Sequence, residues 1–323
     1  MGMDTFEGGL MTLAATGEFG LIQRVTQRLG TAPTTLLGPG DDAAVVAVPD
    51  GRVVASTDVL VEGRHFRCDW ASATDIGHRA AAANLADIAA MGGVATALLV
   101  GLCMPRDIDP RWAEQLADGL AAECETVGAA VVGGDMVASQ LITIAVTALG
   151  DLDGRTPVLR SGACSGDVVA MAGRIGQAAA GLTVLSRGFR SPKALVEAYR
   201  RPAVPYWAGP AGAKLGATSM IDVSDGLLAD VGHIADASNV GIDIRRDAFE
   251  ITQAMRDASS ALGVDPYTWV LTGGDDHPIV ATFPPTVVLP DGWLPIGHVV
   301  DGAGVTVDGR LHVDAPPGWD HFR

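Results

Sequence analysis

Aspartates recur at the ends of apolar runs in this sequence. Asp41 and Asp42 stand in LGPGDDAAVV (Leu37–Val46), between a Gly-Pro-Gly turn and a run that reads as a strand. Asp58 closes a Ser56-Thr57-Asp58 triplet. Asp87 lies in NLADIAAMGG, three residues after Asn84 and four before Met91, so the three share one face of a helix. Asp135 follows Gly133-Gly134, and Asp222 and Asp225 bracket a strand-to-turn step in MIDVSDGLLAD. A carboxylate at the lip of an apolar strand is costly unless something positive meets it. Strand ends of one α/β unit tend to converge on one surface, and carboxylates gathered there without a cation repel until some stay protonated. Hard oxygen donors, with no CxxC pair or paired histidines nearby, point to Mg2+ rather than zinc. Mg2+ held by carboxylates keeps positions open for phosphate oxygens, and the hydroxyls of Ser56, Thr57 and Ser224 suit such a site.

Each aspartate alone has a plainer reading. Asp225, before Gly226 and an apolar helix, reads equally as an N-cap. Asp87 reads as a solvated helix group, Asp135 as a turn residue and Asp41 as an exposed turn carboxylate. The weight lies in their recurrence at element ends.

The elements that must position them alternate through the first half. Ala43–Val48 and Val53–Thr57 are short β-branched runs split by a Pro-Asp-Gly turn signal. Thr74–Met91 reads as an alanine-rich helix ended by Gly92-Gly93. Val94–Met104 follows as a buried strand, and Pro110–Val127 as an amphipathic helix. Ala129–Val132 and Leu141–Leu149 read as strands. The texture turns to Gly, Pro and polar residues over Gly150–Asp167, which marks a domain connection. Beyond it come a strand at Val168–Ala172, a glycine-spaced helix start, a strand at Ser219–Val223 feeding a helix at Gly226–Ser238, and a helix at Ile251–Leu262. VTVDGRLHV (Val305–Val313) reads as an Asp-Gly hairpin with a type I′ turn. The expected architecture is α+β (α/β) in two domains, 1–150 and 151–323.

Composition narrows the function classes. The chain has 323 residues, 48% of them hydrophobic, and a formal net charge of −16. That charge offers no surface to a nucleic-acid backbone. If phosphates are handled, the cations must be largely borrowed. VATALLVGLCM (Val94–Met104) is too short to span a bilayer, and the first twenty residues contain no Lys or Arg. The expectation is a soluble, cytoplasmic protein. Cys68, Cys103, Cys124 and Cys164 form no CxxC pair and read as reduced thiols, mostly packed. No Walker loop is present: GPGDD lacks its Lys, and GRIGQAAAG does not match GxGxxG. A glycine-spaced helix start can still cradle phosphate, close helix–strand packing being its plainer use.

Several stretches together resemble the thiamine-monophosphate kinase family, of the superfamily that includes aminoimidazole ribonucleotide synthetase and selenophosphate synthetase. They are GEFGLI (Gly17–Ile22), GPGDDAAVV, STDVLVEGRHF (Ser56–Phe66), ANLADIAAMGG (Ala83–Gly93), VVGGD (Val131–Asp135), VLRSGACSGD (Val158–Asp167), IDVSDGLLADVGHIADAS (Ile221–Ser238), TGGDDH (Thr272–His277) and GWDHF (Gly318–Phe322), in the family's order. The resemblance implies an aminoimidazole ribonucleotide synthetase-like fold and ATP-dependent phosphorylation of thiamine monophosphate. It implies several Mg2+ ions held by Asp42, Thr57, Asp58, Asp87, Asp135, Asp222 and Asp225, with Ser56 adding an oxygen. It places ATP at Gly134, Asp135, Arg160 and Ser224, and substrate at His65, Asp275 and Trp319. Asp42, Asp58, Asp222 and Arg160 would carry the transfer, and the N-terminal sheet would pair two protomers. The alternatives are another ATP-using member of the superfamily and a non-catalytic Mg-nucleotide-binding protein. Selenophosphate synthetase fits less well, since no reactive Cys or Lys-bearing glycine loop stands near the N-terminus. Two departures stand out: the family's Gly-Gly-Glu-Asp-Tyr is here Gly273-Gly274-Asp275-Asp276-His277, and Trp319 replaces a smaller ring.

Overall fold

The computed structural model describes residues 18–39, 43–311, 318 and 319. Asp41 and Asp42 lie outside the described residues. Helix α1 (Glu18–Thr26) precedes a small antiparallel ribbon, β1 (Thr35–Leu37) with β2 (Val45–Val46). The expected strand over 43–48 shrinks to two residues because its only described partner is the short β1, whose register shifts between Thr35 and Leu37.

Strand β3 (Val54–Val61) runs longer than its β-branched start suggests. It pairs along its whole length with β6 (Thr143–Asp151), from Val54 opposite Gly150 to Val61 opposite Thr143. Helix α2 (Ala73–Ala90) opens on a capping box, in which Ser72 and Asp75 satisfy each other's backbone donors. Strand β4 (Val94–Met104) follows, then helix α3 (Pro110–Glu125), capped by Asp109 with Pro110 at its first position. Strand β5 (Ala130–Ala138) lies parallel to β4. The described strands of this half form a sheet ordered β3-β6-β4-β5. Helices α2 and α3 cover one face over a core that includes Leu85, Ile88, Leu98, Leu116, Ile144 and Val146. The opposite face leaves Val59, Leu99 and Val137 exposed.

In the second half, β7 (Val168–Ala172) is followed by helices α4 (Gln177–Ser186), α5 (Lys193–Arg200) and α6 (Ala208–Leu215). Then come β8 (Ser219–Asp222), α7 (Leu227–Ser238), β9 (Gly241–Ile244), α8 (Gln253–Leu262) and α9 (Pro266–Thr272). Strands β10 (Ile279–Phe283), β11 (Trp293–Val300), β12 (Gly304–Val307) and β13 (Arg310–Leu311) complete a sheet ordered β13-β12-β9-β11-β7-β10-β8. It is antiparallel except for β12 against β9. The β12–β13 turn holds Asp308 and Gly309 at φ 50° and 72°, both left-handed as a type I′ turn requires. The fold is mixed α+β.

Helix α2 joins the two sheets. Its flank packs on the first sheet, while Ala89 and Ala90 at its end join Met220, Ile279, Ala281 and Phe283 in a core shared with the second. Among the four thiols, Cys124 is buried and Cys103 half-buried, but Cys68 and Cys164 are exposed, so fewer are packed than expected. Both stand in irregular segments next to charged or polar neighbours. Among the described residues no helix is long and apolar enough to cross a membrane.

Helices α2 and α3 touch backbone to backbone through two glycines. A Cβ on Gly77 would lie 2.2 Å from the Leu116 carbonyl oxygen, and one on Gly119 would lie 2.1 Å from that of Thr74. Gly119→Ala must therefore force the helices apart. The expected loss is about 1–3 kcal/mol, the usual range for overpacking, read from urea or thermal unfolding.

Candidate active site

Asp58, Asp87 and Asp222 converge where α2 meets strands β3 and β8. Side chains alternate along β3, so Ser56 and Asp58 face α2 while Thr57 faces away. The Ser56 hydroxyl donates to Asp87 Oδ2 at 2.6 Å. Asp222, the last residue of β8, is 5% exposed, and its Oδ2 lies 3.0 Å from His277 Nδ1. Burial, together with the charges of Asp222 and Asp58, pushes the Asp87 carboxyl up to about 7. Burial lowers the His277 imidazole, but its bond to Asp222 and the charges of Asp222, Asp275 and Asp87 raise it overall.

The loop after β8 is held from both sides. Asp230, buried in the first turn of α7, accepts from the backbone N–H groups of Asp225 and Gly226, at 3.1 and 3.0 Å. Burial and the charge of Asp222 raise its carboxyl to about 7. Three successive carbonyls of the loop each take a donor from a distant segment. His277 N–H reaches Val223, Asp275 N–H reaches Ser224 at 2.9 Å, and Trp319 N–H reaches Asp225 at 2.9 Å. The late Gly-Gly-Asp-Asp-His and Gly-Trp segments are thus fastened onto the loop that bears Ser224 and Asp225. Gly274 is required there, since a Cβ would lie 1.9 Å from the Ser224 carbonyl oxygen.

Other candidates fall elsewhere. The Thr57 hydroxyl donates to the Val146 carbonyl at 2.9 Å on the sheet face opposite α2. Asp135 shares that face: β5 pairs it with Gly101, which pairs with Ala145, which pairs with Val59. Its Oδ1 accepts from the Met136 N–H at 2.8 Å. The strand alternation that brings Ser56 and Asp58 to Asp87 therefore sends Thr57 to the other face, and strands β3 and β5 occupy opposite edges. The expectation of a single side-chain cluster is corrected by this geometry. Gly134 sits where a Cβ would lie 2.0 Å from the Val100 carbonyl oxygen, a packing reason for glycine. Arg160 is exposed, its carbonyl accepting from the Ser238 hydroxyl, and among the described residues no ion pair ties it to the acidic cluster.

His65 accepts the Val61 N–H at Nδ1, 3.0 Å away, so its neutral ring carries the proton on Nε2. Trp319 is exposed beside Asp225. Asp275 meets Arg79 of α2, with Nη2 to Oδ2 at 2.7 Å. Asp276 is buried at the start of α4, accepting from Ala178 N–H at 3.0 Å, and burial raises it to about 6. Arg79, Asp230 and His277 were not singled out from sequence. A lone Arg within GHRAAAANLAD was a legible signal, because a cation in an alanine-rich helix needs a carboxylate partner.

The donors here suit a hard divalent cation. Asp87 and Asp222 are carboxylates held close without enough positive charge between them, and Ser56 adds a hydroxyl oxygen. One turn before Asp87, fully buried Asn84 donates to the Ala80 carbonyl, while its Oδ1 has no partner among the described residues. Among the described residues no group of three or more His, Cys, Asp or Glu side chains is arranged to hold a metal ion. The fit is thus to part of a coordination shell.

A carboxyl raised in the folded state keeps its proton longer than the unfolded chain does, so its stabilising contribution is lost as pH climbs through the raised value. Asp87 and Asp230 place that loss between about pH 4 and 7, and raised His277 acts with the same sign. In EDTA, the melting temperature is expected to fall across this window. Asp87→Asn should flatten the fall and raise the melting temperature near pH 8 by roughly 2–4 °C for each kcal/mol of repulsion removed. Added Mg2+ should raise it for the unsubstituted protein and not for Asp87→Asn.

The family model for AIR synthase related protein, N-terminal domain, matches residues 40–152. Thiamine-monophosphate kinase of Mycobacterium tuberculosis (strain ATCC 25618 / H37Rv) is 48% identical over 313 residues, covering 96% of this chain and 93% of that protein. The crystal structure of thiamine-monophosphate kinase from Stenotrophomonas maltophilia K279a superposes with a TM-score of 0.81 at 32% identity, over 92% of this chain and 98% of that one. AaThiL, complexed with AMPPCP and TMP, gives a TM-score of 0.79 at 32% identity over 98% of this chain and 100% of that one. The likeness runs through both sheets and the loops pinned between them, and the chain belongs to the thiamine-monophosphate kinase family.

Proposed function

We propose that this chain transfers the γ-phosphoryl group of ATP to thiamine monophosphate, giving thiamine diphosphate and ADP, by direct in-line displacement. The observation that carries this reading is the end-to-end likeness to thiamine-monophosphate kinases, one of them complexed with the ATP mimic AMPPCP and with TMP. The acidic cluster supports it. The acceptor is a phosphate oxygen, anionic at neutral pH because a phosphate monoester's second pKa is about 6. No general base is needed, and the obstacle is repulsion between two anions. Asp87, Asp222, Asp58 and Ser56 would hold Mg2+ on the α2 side, with Asp42 and Asp225 added as proposed ligands. Bound there, Mg2+ would neutralise phosphate oxygens and hold them in line.

Thr57, Gly134 and Asp135 are proposed to contact the nucleotide and further Mg2+ ions, Thr57 and Asp135 from the exposed sheet face. Ser224 is the proposed nucleotide contact on the pinned loop, and Arg160 the proposed protein cation beside the phosphates. His65, with its Nε2–H, Asp275 and Trp319 are proposed to recognise the thiamine moiety, an indole face suiting a flat cation. Exposed Val59, Leu99 and Val137 on one face of the first sheet support pairing of two protomers through that face. The proposed domains are 1–150 and 151–323, in keeping with β6 ending at Asp151 and the second sheet starting at Val168.

Purified protein with ATP, Mg2+ and thiamine monophosphate should form thiamine diphosphate, identified by chromatography. Absence of that product would overturn the proposal, as would ATP consumption only with an aminoimidazole precursor, or tight ATP binding without turnover. Asp42→Asn and Asp222→Asn should each lower turnover by at least about 100-fold, since even outer partners of metal ligands are worth roughly 10–100-fold. Asp41→Asn should stay within about twofold, as a turn residue does. Val59→Asp with Val137→Asp should convert a dimer to a monomer in sedimentation.

A further inference from the structure

The resemblance places Asp275 at the substrate, yet it already has a protein cation. Arg79 reaches across from α2, in the half of the chain that carries the first sheet, and places Nη2 2.7 Å from Asp275 Oδ2. The guanidinium is itself held. Its Nη1 donates to the Tyr199 carbonyl at 3.3 Å, and its centre lies 4.5 Å from the centroid of the Tyr199 ring. Arg79 is 8% exposed, and rigid helix and ring packing surround it. The Asp275 side chain, by contrast, is 37% exposed. Its backbone is fixed too: the N–H donates to the Ser224 carbonyl and φ is 69°, a left-handed conformation that a non-glycine residue keeps only when its surroundings impose it.

We infer that Arg79 is a positioning residue for Asp275. It occupies one carboxylate oxygen from the buried side, fixes the rotamer, and leaves the remaining acceptor positions facing the exposed side, where the thiamine-bearing substrate is to be recognised. A carboxylate has about four lone-pair positions, so one guanidinium contact does not exhaust it. The planar fork of Arg suits this better than Lys, because a second nitrogen is left to anchor on Tyr199. Arg79 also ties the recognition residue to the helix that carries Asp87, so substrate-side and metal-side carboxylates share one rigid support. This rests on the proposed acceptor-side role of Asp275.

The test is steady-state kinetics of Arg79→Gln and Arg79→Lys in the full-length enzyme, with Asp275→Asn as reference and calorimetric binding of thiamine monophosphate without ATP. Arg79→Gln should raise KM for thiamine monophosphate about tenfold, with KM for ATP and kcat within about twofold. Arg79→Lys should recover part of that loss. Calorimetric Kd should follow KM. An unchanged or lowered KM for thiamine monophosphate in folded Arg79→Gln, with a raised one in Asp275→Asn, would overturn the role of Arg79 while leaving that of Asp275 standing. Equal rises in both KM values would overturn it too, as a general structural defect. If Asp275→Asn leaves both KM and Kd for thiamine monophosphate unchanged, the underlying role of Asp275 fails instead. Should Arg79→Gln not fold, Arg79→Lys decides: the wild-type KM for thiamine monophosphate requires a point charge only and overturns the positioning role of the fork.

Discussion

Asp87 and Asp222 come from different halves of the chain and are brought together at one end of a buried helix. Two carboxylates in such a place repel in a medium that screens them poorly. Burial first, and then the charge of Asp222, raise Asp87 to about 7. Most of the surrounding architecture serves to keep them there. Ser56 holds one by its hydroxyl, His277 holds the other by its ring, and both bonds would be pointless if the carboxylates were free to turn into water. Holding like charges together at this cost is what the proposed Mg2+ site would require.

Helix α2 makes the arrangement rigid. It approaches its neighbours at backbone distance. The Leu116 and Thr74 carbonyls occupy the space a Cβ on Gly77 or Gly119 would need, and the Ala89 carbonyl lies 1.9 Å from where a Cβ on Gly209 would stand. Alanine along the helix permits this closeness, and interiors packed to that density do not deform by small amounts. The second support is the loop after β8, whose Val223, Ser224 and Asp225 carbonyls receive His277, Asp275 and Trp319 in turn. Asp230 holds the donors of the same loop. Residues 50 and more apart in sequence are thereby fixed within one turn of backbone.

That fixing explains what sequence reading could and could not reach. The long periodic elements were legible: Val94–Met104 and Val168–Ala172 form as read, and the Asp-Gly hairpin turns where its residues demand. Asp222 ends β8 as read, whereas Asp58, read at a strand exit, lies inside β3, which runs on to Val61. What failed was the assumption that neighbours in sequence are neighbours in space. Ser56 and Thr57 are adjacent, yet the twofold period of a strand puts their hydroxyls on opposite faces. His277 was missed because its meaning lies in pairing across the fold with Asp222, and the partner of Arg79, Asp275, is likewise nearly two hundred residues away. Asp276, to which no role was given, accepts from the Ala178 N–H at the start of α4 from a buried position.

The Gly274-Asp275-Asp276 stretch settles its charges within the protein, Asp275 against Arg79 and Asp276 against the start of α4. A chain with 38 acidic and 22 basic residues has few cations to spare, so where they are spent is informative. Arg79 is buried against Asp275, and His277 against Asp222, both at positions where a local charge must be held in one orientation. Neither is given to Asp87 directly. Had the fold needed only stability there, replacing the carboxylates by apolar side chains would have served as well or better. Leaving Asp87 short of positive charge lowers the stability of the unliganded protein, and in the proposed reaction it would reserve the site for a cation from solution that also makes a place for phosphate oxygens. In the proposed reaction the acidity of the chain as a whole is compatible with handling two anions, because the positive charge would enter with the nucleotide rather than reside in the protein.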